Sequence, residues 1–164
     1  ELYLEHKREA DAQALIKKAR TRFDALERRY PNAMSGHVAD FFLGLGEAPS
    51  RALKLLLRNY KLRPNARSAQ VLADALISAQ RLQEATPLVK QTLESPIEFA
   101  EKHWTAARLA LALGQKELAL KHQARARTLN PRIVEFEGEL AITSALGSVK
   151  SMTVGETTSE TIKR

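Results

Sequence analysis

His103 to Pro131 reads HWTAARLALALGQKELALKHQARARTLNP. Small and apolar residues recur on both sides of Gly114, and Pro131 closes the stretch. That layout is two amphipathic helices with a turn between them. Working outward, Ala39, Ala73, Ala107 and Ala141 stand 34 residues apart. Gly46, Gln80, Gly114 and Gly147 follow at intervals of 34, 34 and 33. Ala52, Ala85 and Ala119 keep the phase, as do Pro31, Pro64, Pro96 and Pro131. A constant period of this length is the signature of a stacked two-helix repeat. The predicted fold is therefore all-α, an α-solenoid of antiparallel helix pairs with about three repeats and flanking capping helices.

Each class of residue has a mechanical reason. An alanine in mid-helix lets two helices approach closely, because a larger side chain would push the backbones apart. A Gly or polar residue between the helices permits the turn. Proline cannot continue a helix but suits its first turn, so it ends one unit and opens the next.

The units resemble the tetratricopeptide repeat (TPR) family. Ala107, Gly114, Ala119, Ala126, Leu129 and Pro131 stand where that family places small residues, apolar residues and a terminal proline. The preceding unit matches at Leu72, Ala73, Leu76, Ala85 and Leu93, and the one before at Ala39, Leu43, Gly46, Ala52, Leu62 and Pro64. The resemblance spans residues 33–147, divided into 33–65, 66–96, 97–131 and a half-repeat at 131–147. Two departures stand out. The family's Trp/Leu/Gly/Tyr signature in the first helix is degenerate, with Trp104 alone retained. Pro87 falls inside a second helix, where it fits only in the first turn.

The ends are less regular. Leu15, Ala19, Phe23, Leu26 and Tyr30 recur at helical spacing without a turn signal. Residues 1–31 are thus an N-terminal capping helix or the remnant of an earlier repeat, and the start at Glu1 points to a fragment or processed chain. Residues 131–146 resemble the first helix of a fourth repeat without its partner. Residues 148–164 form a polar Ser/Thr-rich tail, with disorder as its default state and Thr157–Glu160 as a weak capping box.

Composition narrows the function. There is no cysteine, which removes disulfides, thiol catalysis and thiolate metal sites. No apolar run approaches the roughly 20 residues needed to span a bilayer, and the chain given carries no signal peptide. The compartment is left open. Net charge is +7. Arg51, Lys54, Arg58, Lys61, Arg63 and Arg67 follow one another without an acid, and Lys121, Arg125, Arg127 and Arg132 form a second such run. Arg51, Lys54, Arg58, Lys61 and Arg63 are read as a basic outer surface. It would suit nucleic acid or an anionic membrane, although no aromatic platform accompanies it to stack bases. The bland reading is a solvated helix face with cations near helix C-termini.

The family resemblance implies a concave groove lined by first helices. Repeat phase then assigns Asp40 and Leu43 from the first unit, Arg67, Gln70, Asp74 and Ile77 from the second, and Glu101, Trp104, Arg108 and Leu111 from the third. This mixed strip around one large aromatic suits an extended peptide or a partner helix. Trp104 is equally read as a core residue between repeats, and Arg67 and Arg108 as partners of Asp40 and Asp74 in an internal ladder. One subgroup of the family clamps a C-terminal carboxylate with Lys and Asn, where this chain has Gly36 and Asp40. An acid there would repel such a ligand.

No catalytic constellation is evident. His6, His37, His103 and His122 fall on different helices, and His37 with Asp40 lacks a third metal ligand. Glu135, Glu137 and Glu139 alternate and cannot share one helix face. The expected function is a non-catalytic protein–protein interaction scaffold, with no cofactor and no metal, holding a peptide or helix of a partner protein. The alternatives are a self-assembling homo-oligomer, binding of nucleic acid or anionic membrane through the basic surface, and an accessory domain of a larger enzyme.

Overall fold

The computed structural model describes residues 9–137 and 140. Ala141, Gly147, Glu139, His6, most of the half-repeat, the capping box and the tail lie outside the described residues. Among the described residues every regular element is helical. These are α1 (Glu9–Arg29), α2 (Pro31–Leu43), α3 (Pro49–Leu62), α4 (Ala66–Ser78), α5 (Leu82–Glu94), α6 (Ala100–Ala112), α7 (Lys116–Leu129) and the short α8 (Ile133–Glu137).

The helices pack with their neighbours in sequence. α2 lies on α3, α4 on α5 and α6 on α7. Successive pairs join where α3 meets α4 and α5 meets α6. The first helices α4 and α6 also touch, and α1 lies against α2. The expected all-α, solenoid-like stack of helix pairs is the fold observed.

Local chemistry explains where the helices begin. Pro31 and Pro49 occupy the first turns of α2 and α3, where a missing N–H costs no helical bond. α4 begins with a capping box. Asn65 Oδ1 accepts from the Ser68 amide at 3.0 Å, and Ser68 Oγ accepts from the Asn65 amide at 3.2 Å. Here Ser replaces the usual Glu or Gln at the third position. Pro87 departs from expectation, because it lies in the second turn of α5 rather than the first. The carbonyl it deprives of a helical donor belongs to Gln83, an exposed residue that water can reach.

The turns repeat with the same period as the alanines. Gln80 (φ 59°) and Gly114 (φ 75°) are both left-handed. Behind each, the next amide reaches back to the preceding helix: Arg81 N donates to the Leu76 carbonyl at 2.9 Å, and Gln115 N to that of Ala110 at 2.8 Å. This is a left-handed helix stop made twice, 34 residues apart. In the first pair the left-handed residue is Glu47 (φ 46°). Gly46 serves close approach instead, because a Cβ there would meet the Phe41 and Phe42 rings at 2.8 Å. Gln80→Gly should relieve the side-chain penalty of the left-handed site. It is expected to stabilise the chain by about 0.5–1 kcal/mol, read as a higher urea midpoint at unchanged slope.

Ala39, Ala52, Ala73, Ala85, Ala107 and Ala119 all have 0% exposure. These are the repeat-phase positions, and each is fully covered by its neighbours. Around them Val38, Phe42, Leu56, Leu72, Leu76 and Val89 form one core running from α2 to α6. A second cluster of Ala100, Trp104, Ala126 and Ile133 closes the far end.

Candidate partner-binding face

The first helices α2, α4 and α6 carry a cross-helix ladder of charges. Arg67 Nη1 of α4 pairs with Glu101 Oε1 of α6 at 3.2 Å. Arg108 of α6 pairs with Asp74 of α4, and its Nη2 donates to Ser78 Oγ at 3.0 Å. On the other side of Arg67 stands Asp40 of α2. Partial desolvation raises the Asp40 carboxyl above the ordinary carboxylate value, opposed by the charges of His37 and Arg67. At the other end, desolvation and the nearby Asp74 and Glu101 carboxylates raise Glu137, against Arg108 and Arg67. Carboxylate and guanidinium thus alternate from Asp40 to Glu137. At the α2 end the face dips into a polar cavity of about 370 Å³ lined by Gly36, His37, Asp40, Asn59, Arg63 and Arg67.

Seven of the ten sequence-predicted groove residues reach solvent: Asp40, Leu43, Arg67, Asp74, Glu101, Arg108 and Leu111. Three do not: Gln70 and Ile77 are 5% exposed and Trp104 1% exposed. Gln70 turns inward, where its Nε2 donates to Thr105 Oγ1 at 2.8 Å and ties α4 to α6. Trp104 is covered by Ile133 of α8 together with Ala100 and Ala126. None of the three can contact a ligand as the structure stands, so the large aromatic is core and the open strip is mainly charged, with Leu43 and Leu111 at its edge.

The basic surface also changes. Arg51 is held, not offered. Its Nη2 pairs with Asp24 Oδ1 at 2.7 Å and Glu27 Oε2 at 2.6 Å, and its guanidinium lies 4.0 Å from the Phe42 ring centre. It anchors α1 to α3. Arg63 donates to Asn59 Oδ1 and to the Asn32 carbonyl and lines the polar cavity. It therefore joins the first-helix face. Lys54, Arg58 and Lys61 remain exposed.

A second polar cluster was not foreseen. Glu98 accepts from Lys102 Nζ at 2.5 Å, from Arg125 Nη2 at 3.1 Å, and faces His103 Nε2 at 3.1 Å. Lys102, 1% exposed, also donates to the carbonyls of Ser95 and Ile97 and so ties down the α5–α6 connection. His103 Nδ1 lies 3.1 Å from His122 Nδ1 of α7, with the rings stacked. The spacing of 19 residues between the histidines carries no signal in a single sequence; only the pairing of α6 with α7 brings them together.

The donors around Glu98, Lys102 first and His103 next, hold its carboxyl at about 2, down from an ordinary value of 4.5. A depressed carboxylate contributes stability above its unfolded pKa and loses it as pH falls through the folded one. The margin by which wild type exceeds Glu98→Gln in stability should therefore shrink as pH falls from 4.5 towards 2. Denaturant titrations of both chains at several pH values read this directly. A margin that failed to shrink below pH 4.5 would contradict it.

No known family model matches the chain, and no curated protein matches it in a sequence comparison. Among the described residues no group of three or more His, Cys, Asp or Glu could hold a metal ion, and no helix is long and apolar enough to cross a membrane.

Proposed function

We propose that the chain is a TPR-like interaction module that holds a peptide or helix of another protein along the α2–α4–α6 face, with no catalysis of its own. The observation that carries this reading is the charge ladder. Asp40, Arg67, Glu101, Asp74 and Arg108 are spread across three helices on one solvent-reaching strip. A surface strip whose charged side chains are already held by neighbours loses little side-chain entropy when a partner docks. Alternating charge gives register and selectivity more than raw affinity. Arg63 and the polar cavity beside it extend the strip at the α2 end.

Photo-crosslinking in cells tests this. A benzophenone side chain placed at position 40, 67 or 111 should trap one protein partner. The same group at Lys54 or Lys61 should not. Equal trapping at both sets of positions would defeat the reading. The basic-surface alternative is weaker once Arg51 is committed to α1 and Arg63 to the cavity.

A further inference from the structure

A groove of about 420 Å³ opens on the side of the stack formed by the second helices, between α5 and α7. Its walls are Val89 and Leu93 of α5 and Leu118 of α7, and its floor is Ala106 and Ala110 of α6. The floor lies open because α4 and α6 pack together while α5 and α7 are spread. The volume falls within the usual range for small-molecule sites, and apolar walls with a few polar groups are the usual pattern. The polar groups are Thr86, Lys90, Glu94, Gln115 and His122, and His122 is the one whose free ring nitrogen is fixed by its partners.

The chemistry of His122 is dictated from the far side of the pair. Glu98, held ionised, can only accept, so His103 Nε2 carries a proton towards it. In the uncharged pair His103 Nδ1 is then a lone pair, and His122 Nδ1–H must donate to it across 3.1 Å. The one remaining ring nitrogen, His122 Nε2, is left as an acceptor. Burial, His103 and Lys121 all lower the His122 pKa and favour its neutral form. One added proton reverses the polarity wherever it settles. On His122 it sits at Nε2. On His103 it makes Nδ1 the donor, and the His122 proton must move to Nε2.

We propose that the α5–α7 groove is a binding site for a small amphiphile, whose apolar body lies on Ala106 and Ala110 and whose hydroxyl head donates to His122 Nε2. The other charged groups near this atom are Glu98 in the α5–α6 connection, Lys102 on α6, Lys121 and Arg125 on α7, and Lys90 with Glu94 on α5. The last two pair with each other at 3.9 Å. The site is separate from the α2–α4–α6 face and stands or falls without it.

The probe is 4-hexylphenol against 4-hexylanisole, identical bodies of which only the first can donate. Calorimetry at pH 8, above the ordinary imidazole range, should find the phenol bound about tenfold more tightly, the worth of one hydrogen bond. Side-chain ¹⁵N spectra should show the His122 Nε2 resonance shifting with the phenol. Once the ¹⁵N spectra show the pair protonated on acidification, the preference should collapse to near unity, because Nε2–H no longer accepts. Ala110→Leu, which fills the floor, should abolish binding of both probes. His122→Leu should keep both bound and lose the preference, with circular dichroism confirming the fold of each variant. No binding of the phenol to the wild type at pH 8 would overturn the proposal. So would equal affinity for the two probes at pH 8, or a preference that survives once the spectra show the pair protonated, and the wild-type titrations and spectra decide this even if a variant fails to fold.

Discussion

Trp104→Ala is expected to cost about 3–5 kcal/mol, the range for truncating a large aromatic in a packed interior. Trp104 is the largest fully buried side chain. Its indole sits where α6, α7 and α8 meet, with Ala100, Ala126 and Ile133 around it. The surrounding side chains are fixed on separate helices, so a cavity term adds to the lost transfer energy. For a chain of this length the loss corresponds to a fall in Tm of roughly 10 °C. Nε1 has no hydrogen-bond partner among the described residues. Trp104→Phe therefore removes a buried orphan donor along with part of the ring, and should cost well under half as much. Thermal melts of both variants decide between core and ligand anchor. A Trp104→Ala chain as stable as wild type would return the residue to the surface.

Ala73→Leu is the second large effect. Ala73 has 0% exposure on α4, in the core shared by α2 to α6. Three further carbon atoms there must either force the helices apart or twist neighbouring side chains off their rotamers. The expected cost is about 3 kcal/mol. Ala39→Leu and Ala107→Leu should behave alike, because both stand at 0% exposure in the equivalent place of their own pairs. Leucine at Ala112, an exposed residue on the same helix as Ala107, should be nearly neutral. Urea midpoints across this series test the repeat mechanically. A tolerated leucine at Ala73 would mean the 34-residue phase does not mark helix crossings.

The alanine and turn periods were enough to read the fold, because helix packing and left-handed stops are local and repeat with each unit. Gln80 shows how far such reading reaches: phase alone put it opposite Gly114, and both proved left-handed. The candidate face was only half legible. Repeat phase put Asp40, Arg67, Asp74 and Arg108 on one strip, but it cannot distinguish a groove residue from one covered by the next helix. Trp104 was ambiguous for that reason, since Ile133 follows in the chain and its docking is a tertiary fact. Arg51 looked like part of a basic run because Asp24 and Glu27, its partners, are distant in sequence. The histidine pair carried no pattern at all, since neither periodicity nor spacing marks a contact made across two helices.

The most direct test of the module reading inverts the ladder without breaking it. Arg67→Glu with Glu101→Arg, combined with Asp74→Arg and Arg108→Asp, preserves both ion pairs and reverses the sign presented to a partner, and Asp40→Asn removes the like charge that Glu at position 67 would meet. Helical content and Tm should stay close to wild type, since each ion pair is re-formed with its polarity reversed and pairs that reach solvent contribute little to stability. Affinity for the protein trapped by crosslinking at positions 40, 67 and 111 should fall at least tenfold. Undiminished affinity in a folded, ladder-inverted chain would contradict the proposal that the α2–α4–α6 face binds the partner.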